Sequence, residues 1–263
     1  MPPIMNEPTP PHSDDADVAS HPYRPPVGDQ TFLFADLAGF TALTEAHGDE
    51  RAADLAASFF RDARSLLAAH GAREVKTLGD AIMIRCYSAT EAIGLALRLV
   101  RELGARHGFP SIRAGMHSGP AVERDGDWFG AAVNLAARVS GAAAGGEVLV
   151  SEQTAAAAGA PGGGSLGALH GHSNVILRPR GRRHLRNVAE PVELYEASCE
   201  FSRLVDALPL DPVCRMAIDP DHEAGRLLYD AVEYHFCSLD CAHRFAEDPD
   251  RYALRPEQLE HDG

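Results

Sequence analysis

The hydrophobic pattern of residues 31–150 alternates between strand and helix character, and this order most restricts the possible folds. Residues 31–35 form a short apolar run typical of a buried strand, whereas the apolar residues between positions 50 and 70 recur at helical spacing. The same pattern then predicts a hairpin over 74–85, a helix over 89–106, a strand pair over 112–117 and 121–124, a helix over 131–141 and a strand over 147–150. This order predicts an α+β fold with helices packed on a largely antiparallel sheet.

The flanking segments differ from this part in composition. Residues 1–28 contain eight of the 18 prolines and are predicted to be a disordered leader. Residues 155–173 are rich in Ala and Gly and are predicted to form a flexible loop, after which strand character returns at 175–177 and 192–197. We therefore expect a first domain over 29–199, a linker over 200–209, a second unit over 210–254 and a polar tail over 255–263.

Charge and cysteine usage argue against several classes of protein. The formal net charge is −14, which disfavours broad electrostatic binding of nucleic acid or of an anionic membrane. No apolar run approaches the roughly 20 residues of a membrane-spanning helix, and no secretion signal is visible after Met1. Five cysteines, an odd number, favour a reducing compartment over a disulfide framework. We expect a cytoplasmic protein that binds any phosphate-bearing ligand at a local site with the help of a metal ion.

Two aspartates lie at the ends of predicted strands, each close to a glycine. Asp36 ends the first strand shortly before Gly39, and Asp80 follows Gly79 in the hairpin turn. Carboxylates at neighbouring strand ends can bind one or two hard divalent cations together with phosphate oxygens. The helix that begins after Gly39 offers free N–H groups to a phosphate. The alternative is structural, with Asp36 as a helix cap and Asp80 as a turn residue.

Two further pairs combine groups that suit a nucleotide. Asn134 and Arg138 are four residues apart on a predicted helix, and an amide beside a guanidinium suits a sugar oxygen and a phosphate that gains charge. Lys76 donates hydrogen bonds and Asp127 accepts them, so this pair complements N1 and the 6-amino group of adenine. Guanine presents the reverse pattern and would need an acceptor in place of Lys76. Each pair taken alone also fits ordinary solvent-exposed polar residues.

The three pairs lie in segments that together resemble one protein family. Residues 34–41 (FADLAGFT), 76–80 (KTLGD) and 126–138 (GDWFGAAVNLAAR) resemble the class III adenylate and guanylate cyclase catalytic domain in its adenylate form. Motif order, internal spacing and the intervening helix–strand order agree over roughly residues 30–199. The resemblance implies an elaborated ferredoxin-like α+β fold, ATP as the substrate, and 3′,5′-cyclic AMP and pyrophosphate as the products.

The resemblance also implies roles for the residues at the matching motif positions. Asp36, Asp80 and the backbone of Leu37 would bind two Mg²⁺ or Mn²⁺ ions, which lower the pKa of the ribose 3′-hydroxyl and hold the phosphates. Lys76 and Asp127 would select adenine. No side chain in these motifs stands out as a general base, so water or the substrate would take the proton.

The remaining site residues would act on the ribose and the phosphates. Asn134 would orient the ribose, and Arg138 would stabilise the charge that develops in the transition state. The phosphates would contact Gly39, Phe40, Thr41 and Arg186. Family members often carry Leu-Lys-Gly before the last strand, whereas residues 185–188 read LRNV here, so Arg186 would supply the charge of the lysine.

The same resemblance implies a dimer. In this family the active site lies between two catalytic domains arranged head to tail, where one chain supplies the aspartates and the other supplies the base-selecting pair, the asparagine and the arginine. This chain carries all six residues. A homodimer would therefore form two equivalent sites, and a monomer would be inactive.

A second resemblance concerns the C-terminal unit. Residues 211–216 (DPVCRM) and 234–241 (YHFCSLDC) resemble a YHS domain, a small module related to treble-clef-like metal-binding units. Its three cysteines, Cys214, Cys237 and Cys241, would bind a soft or borderline metal such as zinc or copper, with His235 or His243 as a fourth ligand. The alternative is a metal-free fold in which the cysteines are small core residues.

The sequence as a whole predicts an adenylate cyclase with an appended regulatory, metal-binding module. The alternative is a catalytically silent nucleotide-binding or dimerisation module attached to a metal-binding sensor. Retention of both aspartates and of Arg138 favours the enzyme.

Overall fold

The computed structural model describes residues 27–169, 172–199 and 208–253. Most of the predicted leader, most of the predicted linker and the predicted polar tail lie outside these ranges. The strands are β1 (Val27–Leu37), β2 (Ala72–Leu78), β3 (Ala81–Cys86), β4 (Ile112–Arg124), β5 (Asp127–Phe129), β6 (Val148–Ser151), β7 (Gly164–Leu169), β8 (His172–Arg183), β9 (Val192–Cys199), β10 (Gly225–Tyr229) and β11 (Val232–Phe236). The helices are α1 (Phe40–His47), α2 (Asp49–Leu67), α3 (Ala89–Arg98), α4 (Ala131–Gly141), α5 (Glu152–Ala157), α6 (Leu239–Glu247) and α7 (Pro249–Tyr252). None of the helices in the described ranges is long and apolar enough to cross a membrane.

Strands β1–β9 form one sheet, which confirms the predicted α+β fold. The order across the sheet is β2-β3-β1-β4-β6-β9-β8-β7, and β5 pairs with β4 at one end. The β4–β6 pair is parallel, and the remaining pairs are antiparallel. Strand β1 lies inside the sheet, with β3 on one side and β4 on the other.

The two faces of β1 are buried against different helices. Leu33, Ala35 and Leu37 belong to the larger core, which also contains the apolar faces of α2 and α3. Phe32 and Phe34 point to the opposite face and pack with Trp128 and the inner side of α4. Because side chains alternate along a strand, Asp36 continues the face of Phe32 and Phe34 at the strand end.

Helix α4 lies unusually close to the sheet because of one glycine. A Cβ added to Gly115 would lie 2.0 Å from the backbone nitrogen of Ser140, so only glycine permits this contact. Ser140 in turn donates a hydrogen bond from its hydroxyl to the carbonyl of Phe34 at 3.2 Å. The contact fixes the last turns of α4 beside the end of β1, where Asp36 lies.

Two predicted elements differ in form from the observed ones. The predicted strand pair over 112–117 and 121–124 is a single strand, β4, whose hairpin partner is β5. The turn between them is Asp125-Gly126, with φ angles of 51° and 81°, which is the geometry of a tight two-residue hairpin loop. The predicted helix over 89–106 is α-helical only to Arg98 and continues as one wider turn over Leu99–Leu103.

The prediction of a flexible loop over residues 155–173 is wrong. Residues 155–157 form the end of α5, and residues 164–169 form the strand β7, which pairs with β8 and extends the sheet. A Cβ added to Gly163 would lie 2.8 Å from the carbonyl oxygen of Leu177, so this glycine permits close backbone contact. Val175 and Leu177 of β8 are buried in the larger core. The glycines of this segment therefore serve packing and tight turns.

The C-terminal module, residues 208–253, packs directly on the sheet domain. Phe245 of helix α6 packs against the hairpin β10–β11, where it contacts the rings of Tyr234 and Phe236. These side chains belong to the same buried cluster as the core of the sheet domain. Backbone hydrogen bonds join the two parts, from Gly108 to Ala217 at 2.8 Å and from Ala217 to Phe109 at 3.0 Å.

Candidate active site

Asp36 lies at the carboxyl end of β1, where it is partly buried and forms an ion pair with Arg113. Its side chain is 13% exposed, and Arg113 Nε donates a hydrogen bond to its Oδ1 at 2.5 Å. The two residues lie opposite each other in the β1–β4 register. Burial raises the pKa of Asp36 above its ordinary value, while the Arg113 guanidinium acts in the opposite direction. Sequence analysis missed Arg113, because its role depends on this cross-strand pairing.

Asp80 lies in the β2–β3 turn, beside the end of β1. The turn requires Gly79 in the left-handed region, with φ of 63°. Burial raises the pKa of Asp80, and a hydrogen bond from the backbone of Leu37 opposes this shift. The charge of Asp80 in turn raises the pKa of Asp36, so the two carboxylates lie close enough to repel each other. Two neighbouring, partly desolvated carboxylates form an arrangement that a divalent cation would stabilise.

The segment after Asp36 turns sharply into α1. Gly39 has φ of 75°, a left-handed conformation that glycine adopts without strain, and it occupies the N-cap position of the helix. No side chain within the described residues caps this end. The backbone N–H groups of Phe40 and Thr41 open the helix, and the first N–H groups of a helix have no intrahelical acceptor. The turn therefore presents hydrogen-bond donors next to the aspartate pair.

Lys76 and Asp127, the pair predicted to select adenine, form an ion pair with each other. Lys76 Nζ lies 2.5 Å from Asp127 Oδ2, and Asp127 Oδ1 accepts a hydrogen bond from the Trp128 backbone at 2.8 Å. The hydrogen bond from Lys76 lowers the pKa of Asp127. The two side chains are 37% and 30% exposed, and an ion pair of this exposure contributes little to stability. Both groups are therefore accessible to a ligand from solvent.

Asn134 and Arg138 lie on the side of α4 that faces away from the sheet. Both are exposed, whereas Ala136 and Ser140 of the same helix are buried. At about 100° per residue, Arg138 lies about 200° around the helix from Ser140, which approaches Asp36. One chain therefore does not bring Arg138 to its own aspartate pair. The Asn134–Arg138 face is available to a second molecule.

Arg186 lies in an exposed turn between β8 and β9. The neighbouring Leu185 is buried with Leu149 and Leu194, which anchors the turn to the sheet. Asn187, which replaces the family's glycine, has φ of 60°. Asparagine tolerates this left-handed conformation better than most residues, so the turn is formed without glycine.

The three cysteines of the C-terminal module converge, together with a histidine from the other domain. The ligand atoms of Cys214, Cys237, Cys241 and His47 lie within 4.8 Å of one another. Hydrogen bonds within the cluster, from Cys214 first and then Cys237, lower the pKa of the Cys241 thiol.

The prediction of His235 or His243 as a fourth ligand does not agree with this geometry. The Nδ1 atom of His235 is 2.5 Å from Glu223 Oε2, and that of His243 is 3.6 Å from Glu247 Oε1. Neither histidine belongs to the cysteine cluster, because β11 and α6 direct both side chains towards acidic partners of the module instead.

Family models match both parts of the chain. A model of the adenylate and guanylate cyclase catalytic domain matches residues 23–162, and a model of the YHS domain matches residues 210–255. The chain is 43% identical over 129 residues to a pH-sensitive adenylate cyclase of Mycobacterium tuberculosis, a match that covers 49% of this chain and 32% of that protein. It is 40% identical over 117 residues to an adenylate cyclase of Streptomyces coelicolor, with 44% of this chain and 31% of that protein covered. The chain thus spans about a third of the length of these curated relatives.

Solved structures share the fold. An adenylate cyclase of Trypanosoma brucei, solved in its monomeric state, matches with a TM-score of 0.53 and 26% identity, covering 69% of this chain and 94% of that chain. The adenylyl cyclase CyaB from P. aeruginosa matches with a TM-score of 0.53 and 21% identity, covering 65% and 94% respectively.

Proposed function

Because the chain belongs to the adenylate and guanylate cyclase catalytic domain family, we propose that it converts ATP to 3′,5′-cyclic AMP and pyrophosphate at a site shared by two copies of the chain. The observation that carries the proposal is the pair of partly buried carboxylates, Asp36 and Asp80, at the end of β1. Relatives named adenylate cyclase support ATP as the substrate.

The aspartate pair fits two Mg²⁺ or Mn²⁺ ions. Asp36 and Asp80 raise the local negative charge, and the backbone of Leu37 lies within hydrogen-bonding reach of Asp80. Bound at these residues, the ions would lower the pKa of the ribose 3′-hydroxyl and neutralise the phosphates. Arg113 keeps Asp36 in a fixed orientation through its 2.5 Å hydrogen bond. The N–H groups after Gly39 and the side chain of Arg186 are assigned to the phosphates.

The exposed face of α4 supports a composite site. We assign Asn134 to the ribose and Arg138 to the charge that grows on the α-phosphoryl group and on the leaving oxygen. Both are exposed and lie on the side of α4 away from Asp36 of the same chain. A second copy, placed head to tail, supplies these two residues together with Lys76 and Asp127 to the aspartates of the first.

Lys76 and Asp127 are expected to make the enzyme selective for ATP over GTP. A mismatched base leaves polar groups unpaired, at a cost of roughly 1–3 kcal/mol for each group, so two mismatches give a selectivity on the order of tens-fold to ten-thousandfold. The double variant Lys76→Glu with Asp127→Cys should lose far more activity towards ATP than towards GTP. The measurement is kcat/KM for both nucleotides with Mn²⁺ or Mg²⁺, from the cyclic nucleotides produced.

A matched control removes another ion pair of comparable exposure. Arg98 and Glu102 form such a pair on the surface of the α3 region, with Nε and Oε1 3.0 Å apart. Arg98→Glu with Glu102→Cys should leave the ATP-to-GTP ratio unchanged. Near-equal kcat/KM values for ATP and GTP in the wild type would contradict the base-selecting role. A folded, dimeric protein that makes neither cyclic nucleotide would instead favour the catalytically silent module.

A further inference from the structure

Four of the six distances between ligand atoms in the cysteine–histidine cluster match those of a tetrahedral metal site, and all six are within 4.8 Å. The sulfur atoms of Cys214 and Cys237 are 3.4 Å apart, and those of Cys237 and Cys241 are 3.8 Å apart. The Nε2 atom of His47 lies 3.5 Å from the sulfur of Cys237 and 3.8 Å from that of Cys241. Around zinc, bonds of about 2.3 Å to sulfur and about 2.0 Å to nitrogen place ligand atoms about 3.5–3.8 Å apart.

The ligands come from three separate segments, around His47, Cys214 and residues 237–241, and other contacts fix their positions. Cys241 lies in the first turn of α6, where its N–H bonds to the Ser238 hydroxyl at 3.1 Å. The fully buried carboxylate of Asp211 accepts hydrogen bonds from the backbones of Cys214 at 3.2 Å and of Cys237 at 2.9 Å. Asp211 therefore holds two of the thiol-bearing segments side by side, as groups around metal ligands commonly do.

His47 reaches the cluster from the last turn of α1, in the cyclase domain. The C-terminal module also contacts α1 elsewhere, since Arg244 Nη2 donates a hydrogen bond to the carbonyl of Glu45 at 2.9 Å. At the other end of the helix, a Cβ added to Gly39 would lie 2.9 Å from Cγ of Arg215. Arg215 itself has φ of 63°, in the left-handed region that glycine adopts without strain. The module thus contacts α1 at both ends.

We propose that His47 completes a four-ligand site for zinc or a similar borderline metal, and that the bound metal fastens the C-terminal module to helix α1 of the cyclase domain. Three thiolates and one imidazole fill a tetrahedral shell, which is the composition of a structural rather than a catalytic zinc site. With the three cysteines as its only protein ligands, the metal would lie entirely within the C-terminal module. With His47 the metal joins two domains.

The helix that the metal would fasten to the module is α1, whose N-cap residue Gly39 follows Asp36 closely in the sequence. Occupancy of the metal site therefore orders the same α1 whose first N–H groups are assigned to the phosphates. This consequence for turnover rests on the proposed function, whereas metal binding and the ordering of α1 do not.

The test measures metal affinity in the full-length, reduced, metal-free chain without nucleotide. Co²⁺ is titrated as a spectroscopic probe, because thiolate-to-cobalt absorption and intense visible bands report tetrahedral coordination, and Zn²⁺ affinity follows from competition. His47→Ala is expected to weaken Zn²⁺ binding at least as much as the loss of an outer-shell partner, on the order of 10- to 100-fold. His47→Cys, which restores a ligand at the same place, should recover tight binding.

His243→Ala is the matched control, since His243 lies on α6 near the cluster but pairs with Glu247. It should bind Zn²⁺ as the wild type does. Wild-type affinity in His47→Ala, or a loss in His243→Ala, would overturn the proposal. Circular dichroism of metal-free His47→Ala establishes that the variant is folded, which is expected because alanine is a strong helix former.

Hydrogen exchange tests whether the bound metal fastens the C-terminal module to α1. Zn²⁺ should slow the exchange of the α1 amides in the wild type and have no such effect in His47→Ala. If Zn²⁺ binds tightly to the wild type and the α1 amides exchange at an unchanged rate, the metal does not fasten the domains. Cyclic AMP synthesis is measured separately, so an inactive enzyme with normal Zn²⁺ binding would count against the proposed function alone.

Discussion

Asp36→Asn is expected to reduce cyclic AMP synthesis by about a thousandfold or more and to leave the fold intact. The substitution removes a charged ligand whose interaction with a divalent cation contributes several kcal/mol to transition-state stabilisation, and each 1.36 kcal/mol corresponds to a factor of ten in rate. The amide oxygen still accepts the hydrogen bond from Arg113, so the partly buried guanidinium keeps a partner. The measurement is turnover of ATP with saturating Mn²⁺, together with the melting temperature.

Asp62→Asn is the matched control for this variant. Asp62 also pairs with an arginine, with 2.8 Å between its Oδ2 and Nη1 of Arg106, but the pair lies on the surface of α2. The control should retain wild-type turnover. A folded Asp36→Asn protein with substantial cyclic AMP synthesis would refute the role of this carboxylate in metal binding.

Mixing two inactive variants is expected to restore activity. Asp36→Asn lacks a metal ligand and Arg138→Ala lacks the group assigned to the transition state, so each homodimer has two defective sites. In a heterodimer one site carries both defects and the other carries none. Random exchange in an equal mixture makes half of the dimers heterodimers, and each heterodimer has one intact site. The mixture should therefore have about a quarter of the functional sites of the same amount of wild-type protein. The measurement is turnover before and after subunit exchange.

The control for this experiment pairs two variants that are defective in the same half of the site. A mixture of Asp36→Asn with Asp80→Asn leaves every site of the heterodimer without one aspartate and should stay inactive. If Asp36→Asn and Arg138→Ala form heterodimers without recovering activity, the site is not shared in the proposed way. Activity of a dilute, monomeric wild type would lead to the same conclusion.

Local sequence carried most of the information about the sheet and part of the candidate site. The sequence assigned Lys76 and Asp127 to one functional pair although they lie in different motifs, and the fold brings their side chains 2.5 Å apart. The helix with Asn134 and Arg138 also has the predicted bounds. These features were accessible because strand alternation, helix period and turn residues are local properties of the chain.

Features that depend on contacts between distant segments were not predicted. Arg113 offsets the negative charge of Asp36 and Asp80 only because β4 pairs with β1 in one particular register. His47 lies 190 residues before Cys237, so no spacing rule connects the two. The hairpin β7–β8 was missed because glycine-rich composition suggests mobility, whereas here Gly163 permits close packing against Leu177.

The buried cluster shared by the two domains has a consequence for the order in which the protein matures. Met216 and Phe236 of the C-terminal module lie in the same core as Leu43 of α1 and Phe109 before β4. During synthesis the N-terminal domain leaves the ribosome first and begins to fold before the later segment is available. The core around Leu43 and Phe109 therefore lacks the side chains of Met216 and Phe236 until the C-terminal module has been translated. A chain interrupted before that point would carry the cyclase motifs without the apolar side chains of the C-terminal module that complete this core.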